Sequence, residues 1–165
     1  MITLVRLDER LIHGQIAIKW SRYTGVDRII VANDIASSNE TIRNSLMMAA
    51  PSICKTAIKS VEDTIKMLEN PKAAEHKILL IVSNPDDLIR ILENVSDIEA
   101  VNIGNYGRME PKTSAGNREA YTKNIYLYPE EVDKLHRVKE LGFDAFIQTI
   151  PDDPQESLEK VLSKK

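Results

Sequence analysis

The chain has one cysteine, Cys54, in 165 residues, so no disulfide can form within it, and a lone thiol suits a reducing compartment such as the cytosol. No apolar run approaches the roughly 20 residues needed to cross a bilayer. The opening Met1-Ile2-Thr3-Leu4-Val5-Arg6 lacks a basic stretch followed by a signal-type apolar core. Excess positive charge is also missing. A net charge of −3 gives no bulk attraction to nucleic acid or to an anionic membrane, so no direct membrane insertion is expected and any membrane role comes through a partner. The other two histidines, His76 and His136, sit among charged residues and read as surface groups. With His13 and Cys54 they fall at no metal-ligand spacing, so no metal is expected. Cys54 reads as a small buried apolar residue, since its own segment holds no His or Arg to activate it. Repeats, linkers and low-complexity tracts are absent, and residues 1–165 are expected to form a single domain.

What is present is an alternation of short apolar runs with amphipathic stretches. Strands are predicted over residues 2–7, 28–32, 55–59, 77–82, 98–103, 124–128 and 143–150. The run 77–82 is the most hydrophobic and is placed centrally, while 124–128 is expected as a hairpin or an antiparallel edge. Helices are predicted over 14–23, 61–68, 85–94, 129–141 and 155–162. The first should bury Ile16, Ala17, Trp20 and Tyr23. A further helix is expected to be capped by Ser37 or Ser38, to bury Ile42, Leu46, Met47 and Ala50, and to stop at Pro51. Residues 105–122 read as a long polar loop. Repeated β–α units with apolar strands predict an α/β fold: an open, mainly parallel, doubly wound sheet with helices on both faces and an antiparallel edge strand. Ligands of such sheets sit beyond the carboxyl ends of the strands.

The first such end carries Arg6-Leu7-Asp8-Glu9-Arg10-Leu11-Ile12-His13-Gly14-Gln15. A histidine where a strand hands over to a helix meets the free N–H groups of the new helix and its dipole, which favour an anion. Neutral imidazole is a nucleophile toward phosphorus near neutral pH. Phosphorylation at one ring nitrogen needs an acceptor for the proton on the other, for which Asp8 or a backbone carbonyl would serve. Arg10, and Arg6 if it faces the site, would offset phosphoryl charge. Gly14 permits close backbone approach, and the N–H groups of Gln15 and Ile16 would bind phosphate oxygens. Gly104, ending the fifth strand, would let backbone reach the same place. The bland alternative is that His13 caps a helix while Arg6, Asp8, Glu9 and Arg10 form a solvated ion-pair cluster. Gly104-Asn105-Tyr106-Gly107-Arg108 is glycine-rich, but it has neither the ending of a Walker loop nor the spacing of a dinucleotide fingerprint. Asp8, Asp34 and Asp86 read as turn and cap residues rather than a magnesium pocket, and Tyr121, Tyr126 and Tyr128 as edge packing.

The ten residues from Arg6 to Gln15 resemble the opening of the cytoplasmic IIB subunits of the bacterial sugar phosphotransferase system (PTS), in the mannose/fructose/sorbose class. That family begins Arg-hydrophobic-Asp-Asp/Glu-Arg-Leu-Ile-His-Gly-Gln. The similarity continues through Trp20, Ile29-Ile30-Val31-Ala32-Asn33-Asp34, Met47-Met48-Ala49-Ala50-Pro51 and Val101-Asn102-Ile103-Gly104, and so covers nearly the whole chain. The resemblance implies a phosphoryl carrier. His13 would take phosphate, through Nδ1, from a phosphohistidine on a IIA subunit or domain and pass it to a sugar held by a membrane IIC–IID permease. Asp8 and Arg10 match family site positions, and Arg6 matches a motif position. The implied location is cytoplasmic and peripheral to the permease, with no cofactor; a homo-oligomer is compatible with it. Family members often carry a second glycine where Asn105 stands, and residues 105–122 match poorly.

Two further readings compete with a carrier. One is a binding module whose first loop holds a phosphorylated ligand or partner without turnover; the other is a regulatory protein that has kept the fold. A carrier must meet two partners transiently, which predicts an exposed rim around His13 with modest apolar patches such as Leu11 and Ile12.

Overall fold

The computed structural model describes residues 1–109 and 117–164. Seven strands form one sheet, in the order Lys55–Lys59, Arg28–Ala32, Ile78–Val82, Ile2–Asp8, Val101–Asn105, Phe146–Ile147 and Glu156–Ser157. They are β1 (Ile2–Asp8), β2 (Arg28–Ala32), β3 (Lys55–Lys59), β4 (Ile78–Val82), β5 (Val101–Asn105), β8 (Phe146–Ile147) and β9 (Glu156–Ser157). All neighbouring pairs are parallel except β8–β9, which gives the sheet its antiparallel edge. A separate antiparallel hairpin pairs β6 (Glu119–Thr122) with β7 (Ile125–Leu127).

The strand sequences explain the two-sided core. β4 reads Ile-Leu-Leu-Ile-Val and is buried at every position. Successive side chains of a strand point to opposite faces. Leu80 and Val82 accordingly join a cluster with Ile30, Leu88, Ile91, Ile103 and Leu135, while Leu79 and Ile81 join Leu4, Ile12, Trp20, Val31 and Leu46. Each such aliphatic residue contributes about 1.5–3 kcal/mol on full burial. Helices α4 (Val61–Leu68), α5 (Pro85–Asn94), α6 (Pro129–Glu140) and α7 (Leu158–Leu162) cover the first face. The second is covered by α1 (Ile16–Thr24), α2 (Asp34–Ser38) and α3 (Glu40–Ala49). The connection out of β1 and the connection out of β4 therefore run in opposite directions over opposite faces. That arrangement opens a crevice at the carboxyl edge of the sheet.

Several local expectations are corrected. A short helix, Asp34–Ser38, precedes the expected one, and Asn39, extended (φ −111°, ψ 109°), separates the two. The caps are Asn33, accepting from Ala36 N, and Asn39, accepting from Ile42 N, rather than Ser37 or Ser38. On α3 only Leu46 is buried; Ile42 and Met47 are partly exposed and Met48 is fully on the surface. Tyr23 also lies on the surface, its ring edge-to-face with Trp20 at 6.0 Å. The predicted strand 143–150 shrinks to Phe146–Ile147, and the predicted helix 155–162 begins as strand β9. The predicted loop 105–122 contains β6 in its described part, and the strand ending it is the expected hairpin arm. Its central portion, 110–116, lies outside the described residues.

Candidate active site

β1 carries Leu4, Arg6 and Asp8 on one face, at alternate positions, and the last two are charged groups in a strand that is otherwise core. Burying them requires partners, and the fold supplies these from distant segments. Arg6 is 2% exposed. Its Nη1 donates to Asn102 Oδ1 and to the Gln148 carbonyl (3.1 Å), and its Nη2 to Asp8 Oδ2 (3.0 Å) and the Thr149 carbonyl (3.1 Å). The guanidinium carbon lies 5.2 Å from the Trp20 ring centroid, and Trp20 Nε1 donates to the same Thr149 carbonyl at 2.9 Å. Burial lowers the pKa of this guanidinium and the Asp8 charge opposes the shift, so Arg6 stays cationic. Gly104 leaves the room: a Cβ there would stand 2.3 Å from Arg6 Nη2. Arg6 and Gly104, expected at the phosphate, thus lie together beneath Asp8.

Asp8 is fully enclosed and is the hub. Its Oδ2 accepts from Arg6 Nη2, from His13 Nε2 at 2.9 Å and from Asn105 Nδ2 at 3.2 Å, while Oδ1 accepts from the Arg10 backbone N–H at 3.0 Å. Burial alone would raise the carboxyl pKa. The His13 hydrogen bond, the Arg6 charge and the Arg10 N–H outweigh it and hold Asp8 below the ordinary aspartate value. A carboxylate only accepts, so His13 Nε2 carries its proton toward Asp8. Nδ1 has no hydrogen-bond partner among the described residues.

The turn between β1 and α1 holds the ring in that place. Leu11 N donates to Asp8 O at 2.9 Å, and Leu11 (φ 60°) and Gly14 (φ 50°) both take the left-handed conformation. Leu11 and Ile12 are anchors in the core, against the expectation that they form an exposed apolar rim; two apolar side chains under the turn hold it down. His13 itself is partly exposed, its side chain 13% open to solvent. Gly14 and Gln15 are exposed at the start of α1, where Gln15 occupies the N-cap position without a side-chain cap bond. The free N–H groups of a first helical turn therefore adjoin the histidine.

Arg10 projects into solvent and, with Glu9, Asn105, Arg108 and Met109, lines a cavity of about 320 Å³. Glu9 ties the far wall down: its Oε2 accepts from the Arg108 and Met109 N–H groups (3.0 and 3.3 Å), and its N–H donates to the Asn105 carbonyl (2.9 Å). The same loop is pinned to α6 by Glu131, which accepts from Tyr106 Oη and from Arg118 Nε (3.0 Å) while Arg118 packs over Tyr106 and Tyr128. Burial would raise the Glu131 carboxyl, but Arg118 and Tyr106 hold it below its usual value.

Sequence reasoning missed Asn102, Asn105, Gln148, Thr149 and Trp20 as site residues. Asn102 alone carried a local signal, a carboxamide in the apolar run Val101-Asn102-Ile103. The remaining histidines pair with single carboxylates, His76 with Asp27 (2.7 Å) and His136 with Glu159 (3.1 Å). Cys54 is half-buried, with Sγ 3.4 Å from the Val26 carbonyl. Among the described residues no group of three or more His, Cys, Asp or Glu is placed to hold a metal. Nor is any helix there long and apolar enough to cross a membrane.

A parallel α/β sheet with a paired histidine at the carboxyl end of its central strand defines the class, and the comparisons with known proteins narrow it. Residues 2–165 match the family described as the PTS system sorbose subfamily IIB component. A Streptococcus pyogenes protein described as a probable phosphotransferase enzyme IIB component is 36% identical over 164 residues, 99% of this chain and 100% of the relative. The mannose-specific EIIAB component of Escherichia coli is 28% identical over 99% of this chain, which spans about half of that protein (49%). The crystal structure of the IIBSor domain of the sorbose permease from Klebsiella pneumoniae superposes with a TM-score of 0.88 at 28% identity, covering 100% of this chain and 98% of that one. The chain belongs to the sorbose subfamily of PTS IIB components, a family of phosphotransferases.

Proposed function

We propose that this chain, acting as one IIB domain, is a phosphoryl carrier whose carrier atom is His13 Nδ1. The observation that supports this most is the 2.9 Å contact between His13 Nε2 and Asp8 Oδ2, which directs the ring proton inward and leaves the opposite nitrogen with its lone pair. In the first half-reaction that lone pair attacks phosphorus, a new N–P bond forms, and the N–P bond to the donor histidine of a IIA partner breaks with its electron pair returning to the donor ring. Positive charge develops on the His13 ring and is met by Asp8. In the second half-reaction a sugar hydroxyl attacks, the His13 N–P bond breaks, and the hydroxyl proton leaves to a base on the permease side.

Arg10 supplies the cation beside the transferring group, and the N–H groups of Gln15 and Ile16 at the start of α1 receive its oxygens. The name of the E. coli relative, in which A and B components form one protein, supports a IIA donor. The sugar would be held by a membrane IIC–IID pair, which places this chain at the cytoplasmic face without inserting it. The test is reconstitution with phosphoenolpyruvate, the general PTS proteins, a cognate IIA and permease vesicles, using a panel of sugars. The reading expects sugar phosphate to form only when this chain is present. Formation at the same rate without it would overturn the reading.

A further inference from the structure

A second cavity, also about 320 Å³, opens at the edge of the sheet opposite His13. It lies where β2, β3 and β4 begin, and the histidine lies beyond where the parallel strands end. Register places its floor: Ile30 pairs with Ala57 on β3 and with Leu80 on β4, and Arg28 pairs with Lys55 and with Ile78. Alternation then sets Arg28, Ile30, Lys55 and Ala57 on the face covered by α4. That face is incompletely covered. The edge strand offers the small methyl of Ala57 there, and α4 stops at Leu68, after which the 3₁₀ turn Pro71–Glu75 passes the gap with Lys72 and Ala73 on its lining. Met67 and Leu68 line one wall of the gap that results.

The walls are apolar and the rim is cationic: Arg28, Lys55 and Lys72 border the opening, with His76 beside them. Asp27 holds two of these groups. Asp27 Oδ2 binds both Arg28 Nη1 (3.0 Å) and His76 Nδ1 (2.7 Å), and its Oδ1 accepts the Lys77 backbone N–H (2.8 Å). Lys55 and Lys72 are exposed and make no ion pair among the described residues, so the rim carries positive charge that Asp27 does not offset. A slot of this size with an apolar interior and polar groups at its mouth is the usual form of a small-molecule site. Cations restricted to the mouth select a ligand with one anionic end and one apolar end.

We propose that this cavity binds a medium-chain carboxylate, with the alkyl chain over Ile30 and Ala57 and the carboxylate between Lys55 and Lys72. The site is independent of the phosphoryl-carrier reading, because it lies at the other edge of the sheet and shares no residue with the His13 cluster.

The test is methyl NMR on the full chain, titrated with decanoate and, separately, with decanol and decyltrimethylammonium. The Ile30, Ile78 and Met67 methyl signals should shift saturably with decanoate, several-fold more weakly with decanol, and not with the cationic amphiphile. Lys55→Glu with Lys72→Glu should weaken decanoate about three- to tenfold without altering decanol, as expected for solvent-exposed charge pairs. Ala57→Leu, which narrows the slot, should weaken both, and Ala57→Val supplies a milder narrowing, with the same direction expected, if the leucine disturbs folding. Equal responses to decanoate and decyltrimethylammonium, unsaturable shifts, or decanoate affinity unchanged by the lysine substitutions in a folded protein would each overturn the proposal.

Discussion

Asp8 and His13 meet through a single contact, Oδ2 to Nε2 at 2.9 Å, and the same aspartate oxygen accepts from Arg6 Nη2 at 3.0 Å. The histidine is thus oriented by a carboxylate that is itself held by a buried guanidinium. Asp8→Asn keeps the shape but replaces an obligate acceptor with a group that also donates, so the ring loses its fixed tautomer and the charge that meets developing imidazolium. The expected loss in the rate of phosphoryl uptake from IIA is about 10²–10⁴-fold, with the fold intact. Stopped-flow or rapid-quench transfer kinetics on the pure variant checks this.

Arg6 supports the site from below. Removing its charge leaves Asp8 with less compensation and orphans Asn102 Oδ1, while the Gln148 and Thr149 carbonyls each keep one donor, Asn102 Nδ2 and Trp20 Nε1. Arg6→Met should therefore cost about 3–5 kcal/mol in urea unfolding, the range for breaking a buried pair from one side. Arg6→Lys should recover only part of that, since an ammonium lacks the planar fork that reaches four acceptors.

Gly104 tests the same cluster without touching charge. The Cβ of Gly104→Ala would meet the Arg6 guanidinium at 2.3 Å, so either the strand or Arg6 must move. The expected destabilisation is about 1–3 kcal/mol, with a shift in the Trp20 fluorescence because the ring packs on that guanidinium. Unchanged stability and emission would show that Arg6 is not seated there.

The depressed Asp8 pKa gives a pH dependence with a definite sign. A carboxyl whose folded pKa lies below its unfolded value, about 3.9 for aspartate, contributes stability that is complete above that value and is lost as pH falls through the lower folded one. Glu131 acts in the same direction from an unfolded value of about 4.3. Stability should decline as pH drops below about 5, and Asp8→Asn should flatten the acid end of that decline. Chemical denaturation at a series of pH values checks both.

The parts of this account that were legible in the sequence share a physical cause. β2, β3, α4 and α5 have the predicted boundaries because their signals are local: an apolar run bounded by polar residues, Ser60 before Val61, and Asn84 before Pro85. The short helix α2 was hidden because its five residues are too few to show a helical period. Tyr23 and Met47 follow a helical apolar stripe, yet on those helices only Ala17, Trp20 and Ser21 of α1 and Leu46 of α3 are buried. At the site, Asp8, Arg10 and His13 lie within six residues and could be read together. Asn102 and Asn105 come from β5, laid beside β1 only by the sheet order, and Gln148 and Thr149 follow β8 one strand further out, so no spacing within the chain announces that they surround Arg6 and Asp8.

The central claim is that the inward-facing Nε2 proton reserves Nδ1 of His13 for the phosphoryl group. The most direct test is phosphorus and nitrogen NMR on ¹⁵N-histidine-labelled chain, phosphorylated by phosphoenolpyruvate through the general PTS proteins and IIA, with His13→Ala beside it. A single acid-labile phosphohistidine is expected, coupled to Nδ1 of His13 and absent from the variant. Phosphorylation of His13→Ala, or coupling to Nε2 in the unaltered chain, would contradict it.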